Sequence, residues 1–188
     1  MDQKLKKQIL EGTVQVFNEK GPKFTMDDIA KKLGISKKTI YTVFDTKQEM
    51  FVDLVDFLFD AIKEEERKVI EDPALSTYEK IKKILGVLPN SYMEIDFRQM
   101  YLFKDKHPEA FKKVEERLET GWEGTIALLE QGMKEGVIRP IQIPVLKMML
   151  EASIEQFLQK DILLKTQISY QQGLEQVVEI LVDGIVAK

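Results

Sequence analysis

Ser36-Lys37-Lys38-Thr39, then Tyr41, Thr42 and Lys47, is a cluster of hydroxyl and ammonium side chains suited to engaging a polyanion. A lysine can donate to phosphate oxygens or to guanine O6 and N7, and a threonine can meet a base edge or a thymine methyl. Solubility does not require such a cluster in a chain of net charge -4. The charge is also divided: residues 1–47 hold ten lysines against six acids, while the remainder carries a net -8. A basic head on an acidic body is the asymmetry expected when one part meets nucleic acid. A solvated helical hairpin would show the same composition, so the elements that position these side chains decide the matter.

Other chemistries find little support. The absence of cysteine excludes disulfides, zinc-thiolate sites and thiol catalysis. The single histidine, His107, lies in a Lys-His-Pro turn and reads as a helix-start residue. There is no P-loop and no HExxH. Glu64-Glu65-Glu66 and Glu115-Glu116 read as charged helix faces, not metal sites. A helical enzyme is therefore the distant alternative, and no metal or cofactor is expected. No apolar run approaches the ~20 residues of a membrane span, and the N-terminus lacks a signal-peptide core, so a cytoplasmic protein without a membrane partner is expected.

The elements read as all-α, with about nine helices. Leu5, Ile9, Thr13, Val16 and Phe17 recur at helical spacing and Gly21-Pro22 ends that helix. Thr25 caps a second, with Asp27 and Asp28 in its first turn and Ile29, Ala30 and Leu33 on its buried face. Gly34 breaks it in a left-handed turn. Ser36 caps a third helix whose Ile40 and Phe44 point inward, leaving Lys37, Lys38, Thr39, Tyr41 and Thr42 on or near the outside. Helix, glycine turn and short helix make a helix-turn-helix, whose second helix enters the major groove. Capping boxes at Thr46–Glu49, Ser76–Glu79 and Ser169–Gln172 start later helices. His107-Pro108 opens what reads as one helix to about Gly136, with Gly121, Gly124 and Gly132 inside it; Pro144 begins the penultimate helix. A three-helix head over 1–47 and a larger helical bundle over 48–188 follow.

Residues 24–51, FTMDDIAKKLGISKKTIYTVFDTKQEMF, resemble the DNA-binding domain of the TetR family of bacterial transcriptional regulators. The matches are Thr25, Asp28, Ile29, Ala30, Gly34, Ser36, Thr39, Tyr41, Phe44, Lys47 and Glu49. The resemblance implies that Thr25, Ser36, Tyr41 and Lys47 hold phosphates, and that Lys37, Lys38, Thr39 and Thr42 fall where bases are read. Lys38 stands where the family often has glycine and Thr42 where it often has histidine, so no relative's operator can be borrowed. The resemblance further implies a palindromic double-stranded operator, a homodimer through the last two helices, and a repressor that a small-molecule effector releases. An activator, or an architectural protein without a ligand, is the alternative.

The two last stripes fit either a monomer core or a dimer interface by pattern alone; the resemblance favours the interface. Leu146, Met149, Leu150 and Ile154 carry one, and Val178, Leu181, Val182 and Ile185 the other. The middle helices supply Phe57, Phe59, Tyr92, Met93, Phe97, Met100, Tyr101, Phe103, Trp122, Met133 and Phe157, with Arg98, Gln99 and Gln156 as polar neighbours. Aromatics and methionines at this spacing are core more often than pocket; Tyr92, Phe97, Arg98, Tyr101, Trp122, Met133 and Phe157 are the candidate pocket residues, and the polar three either orient a ligand or reach solvent.

Overall fold

A computed structural model describes residues 3–92, 95–98, 102 and 104–187. Met93, Gln99, Met100, Tyr101 and Phe103 therefore lie outside the described residues. Helix α1 spans Gln3–Lys20, α2 Met26–Leu33, α3 Lys37–Tyr41 and α4 Lys47–Glu71. Beyond them come α5 (Thr77–Ile84), α6 (Pro108–Glu119), α7 (Glu123–Glu135), α8 (Ile143–Gln159), α9 (Ile162–Thr166) and α10 (Tyr170–Asp183). The expectation of an all-α chain holds: among the described residues the only β pairing is an isolated bridge between Ile138 and Val186.

The helix starts follow local chemistry. Thr25, Ser76 and Ser169 each form a reciprocal capping box with the side chain three residues on. At α4 the box is displaced by one residue: Thr46 accepts from the Glu49 N–H, but the Glu49 carboxylate accepts from Asp45.

Two cores result. The first joins Ile9 and Phe17 of α1, Ile29 of α2, Ile40 of α3 and Phe51 of α4 to Phe111 and Val114 of α6 and Leu158 of α8. The second joins α5, α7, α8 and α10 through Ile81, Leu129, Leu150, Val178 and Val182. Helix α4 connects them. It is 25 residues long, ~38 Å at 1.5 Å per residue, and its first half is embedded beside α1. The His107 ring, just before α6, packs on Phe51 at 4.3 Å and fastens α6 to the same place.

The expected single helix from Pro108 to Gly136 is two. Thr120 is extended (ψ 164°) and Gly121 is left-handed (φ 75°), a conformation that favours glycine. The Trp122 indole donates to the Leu118 carbonyl at 2.7 Å, and Lys63 Nζ donates to the Gly121 carbonyl at 2.9 Å, so the break is held from both sides. Gly124 and Gly132 stay helical because α7 packs closely: a β-carbon there would meet Ile70 Cδ1 at 2.8 Å and Ile81 Cδ1 at 2.6 Å respectively.

The order of the terminal helices also differs from the expectation. The short α9 intervenes, so α8 is not penultimate. Leu146, Leu150, Val178, Leu181, Val182 and Ile185 are all buried in the second core of one chain. Ile154 is half-buried between the cores. Only Met149 of the expected interface side chains is exposed, and it lies beside exposed Val145, Met148 and Ile180. The stripes are wide enough for both uses, and their inner edge closes the monomer.

Candidate nucleic-acid interface and ligand cavity

Gly34 ends α2 with φ 64°, its N–H directed back to the Ala30 and Lys31 carbonyls. Ser36 then accepts from the Thr39 N–H at 3.0 Å and starts α3. Helix α3 has only five residues, too few to stand alone. It is pinned by Ile40 within it and Phe44 just beyond it, both wholly buried. That anchoring leaves Lys37, Lys38, Tyr41 and Thr42 exposed and Thr39 half-buried.

The outward groups are not equivalent. Lys37 Nζ is 2.9 Å from Asp27 Oδ2, and this hydrogen bond holds its pKa above the usual lysine value. The Lys38 side chain is exposed, and its ammonium has no ion-pair or hydrogen-bond partner among the described residues. The Thr39 and Ser36 hydroxyls lie 2.9 Å apart, and the Thr42 hydroxyl donates to the Thr39 carbonyl at 2.7 Å. Lys47, at the start of α4, is half-buried. Its Nζ donates to the Phe24 carbonyl at 3.0 Å and sits 4.8 Å and 5.3 Å from the Phe24 and Phe51 ring centres. Burial, and then the nearby Lys106, lower its pKa.

Thr25 is engaged in its own cap. Its N–H and hydroxyl donate to Asp28 Oδ2 at 2.8 and 2.9 Å, and Lys20 donates to the other carboxylate oxygen. The Lys20 hydrogen bond first, then those from Thr25, hold the Asp28 pKa at about 2 against an ordinary 3.8. The folded value is the lower one, so this contact stabilises the fold above the ordinary value and is lost as pH falls through the folded value. An NMR titration of the Asp28 carboxyl should give a midpoint near 2; Lys20→Ala together with Thr25→Val should raise it toward the ordinary 3.8 without reaching it, because the backbone N–H of residue 25 still donates to Asp28. An ordinary midpoint in the parent chain would remove the interaction.

Between the two cores lies a cavity of about 130 Å³. Of the expected pocket residues, Phe97 and Trp122 line it. Tyr92 and Arg98 border an adjoining polar recess, with Arg98 Nε donating to Asp96 at 2.6 Å. Met133 faces the second core, where its sulfur accepts the Ile141 N–H, and Phe157 packs edge-on to Tyr170 at 6.2 Å; neither lines the cavity.

Three charged side chains on the wall went unrecognised in the sequence: Lys63, Glu66 and Arg117. Lys63 Nζ donates to both Glu66 oxygens at 2.9 Å, yet burial still pushes the Glu66 pKa upward. Arg117 reaches Asp56 at 3.1 Å and Asp60 at 2.7 Å. The spacing held a signal: Phe59, Ile62, Lys63 and Glu66 share one face of α4, so Glu66 follows the apolar residues inward.

Comparison with known proteins agrees with this geometry. The pattern of bacterial regulatory proteins of the tetR family matches residues 9–54. The HTH-type transcriptional regulator YvaF of Bacillus subtilis is 30% identical over 181 residues, covering 96% of this chain and 95% of that protein. The chain belongs to the TetR family. It is thus a DNA-binding transcriptional regulator, not an enzyme. The TetR fold extends over its whole length: a TetR transcription regulator from Haloarcula marismortui superposes with a TM-score of 0.69 at 16% identity, over 97% of this chain and 98% of that one. The transcriptional regulator FadR from Bacillus subtilis, solved in complex with stearoyl-CoA, gives 0.66 at 19% identity, over 95% and 98%. No helix among the described residues of this TetR chain is long and apolar enough to cross a membrane.

Proposed function

We propose that this TetR-family regulator is a repressor that binds a palindromic operator as a homodimer and releases it when a largely apolar effector fills the interhelical cavity. Residues 1–47 read DNA, and residues 48–188 bind effector and partner. Lys37, Lys38, Thr39 and Thr42 face bases, while Thr25, Ser36 and Tyr41 set register on phosphates. Lys47 supports the head from beneath. The observation that carries this reading is the course of α4, which lines the cavity with one half and is embedded in the head with the other. An occupant that shifts α4 must shift the head, and half-sites one helical turn apart tolerate little displacement. The FadR structure with stearoyl-CoA supports an effector carrying a hydrocarbon tail.

The test is a titration on the intergenic DNA beside the protein's own gene, against random DNA, at two salt concentrations. A protected palindrome with a clear preference for the intergenic fragment is expected. Lys38→Ala should change the preference among operators by about 1–3 kcal/mol per affected base pair, while Tyr41→Phe should weaken all sequences alike. Equal, weak, steeply salt-dependent binding to both DNAs would leave only the non-specific electrostatic term and defeat the proposal.

A further inference from the structure

A second cavity, of about 50 Å³, lies beneath the head. Val14 and Phe17 of α1, Phe24, Phe51 of α4, and Ala110 and Phe111 of α6 enclose it. All its lining residues are apolar, so water there would find no hydrogen-bond partners on side chains. The effector cavity touches nothing before Val55. The two share one wall, formed by Val55, Leu58, Phe97 and Val114. Turning those four side chains would connect the two, and an opening made that way suits a single hydrocarbon chain better than a fused ring system.

We propose that the two cavities are the chambers of one slot for an unbranched hydrocarbon tail, and that only a tail long enough to reach the second chamber loosens the DNA-binding head. This rests on the effector reading above and narrows its class. The first chamber supplies affinity, since each methylene withdrawn from water tightens binding roughly fourfold. The second supplies the signal. Its Phe24 and Phe51 rings meet edge-on at 5.6 Å, and Lys47 lies over both while holding the Phe24 carbonyl. A tail that separates those rings pulls on the residue directly before Thr25, the cap of α2. A short tail confined to the first chamber leaves that arrangement in place.

The experiment uses the full chain with octanoyl and palmitoyl tails, each as the free acid and as the CoA thioester, below their micelle concentrations. Thermal shift reads binding and operator titration reads release. Both tails should raise the Tm, and only palmitoyl should weaken operator binding, by about tenfold or more. Ala110→Leu fills the second chamber from α6; octanoyl tails should still raise its Tm, but palmitoyl should no longer release its operator. Val14→Leu fills the same chamber from α1 and serves if Ala110→Leu does not fold. Release by octanoyl as effective as by palmitoyl overturns the proposal, as does undiminished release from the filled variants. If no tail in either form raises the Tm of the parent chain, the effector reading itself falls, and this proposal with it.

Discussion

A protein carrying Ile180→Asp is expected to sediment as a folded monomer and to hold its operator roughly a hundredfold or more weakly than the parent chain, the scale on which a second linked contact contributes. Ile180 is 69% exposed on α10, and Met148 is 59% exposed on α8. Val145 and Met149 share a shallow recess with Ile180. An apolar face of this kind on two adjacent helices is suited to a self-complementary contact about a two-fold axis. A carboxylate at its centre would be buried against its own symmetry mate, without a partner charge. The fold should survive because nothing in the monomer covers Ile180. Val182→Asp, at a wholly buried site two residues on, is the contrast and should unfold the chain. An Ile180→Asp protein that remains dimeric would place the interface elsewhere.

Phe44→Ala should cost about 3–5 kcal/mol of stability, as expected for deleting a fully buried aromatic ring. Phe44 and Ile40 are both at 0% exposure and hold α3 in the first core. Five residues of helix cannot persist without them. The Tm should fall markedly, and operator binding should be lost even at temperatures where circular dichroism still reports a helical body. A variant that melts with the parent would show that α3 is held by something other than this pair.

The head was the most legible part of the sequence because its determinants are local. Thr25, Gly34 and Ser36 act within four residues of themselves, and the spacing of Ile40 and Phe44 states which way α3 faces. Legibility declined where tertiary contacts choose between local equivalents. Gly121, Gly124 and Gly132 read alike, yet only Gly121 breaks the helix, and Lys63, far away in sequence, helps hold that break. The last stripe offers Val178, Leu181, Val182 and Ile185 alike to a core or a partner; packing of α5 and α7 decides that they turn inward, while Ile180 lies off that stripe on the exposed side. Glu66 sits in a run of three glutamates that reads as solvated, and only its register with Ile62 and Phe59 marks it as inward-facing. The inward turn of Lys47 carries no sequence signal, because its acceptor is a backbone carbonyl in another segment.

The anchoring of α3 separates two kinds of evolutionary constraint. Its fixing points are Gly34 and Ser36 on one side and Ile40 and Phe44 on the other, whereas Lys38 and Tyr41 point away from all four. A lineage can therefore exchange those outer residues without first acquiring compensating mutations in the core. Duplicated copies of such a gene are free to drift toward new operators at little risk of losing the folded head, and the positions that set their targets should be those that diverge soonest between them.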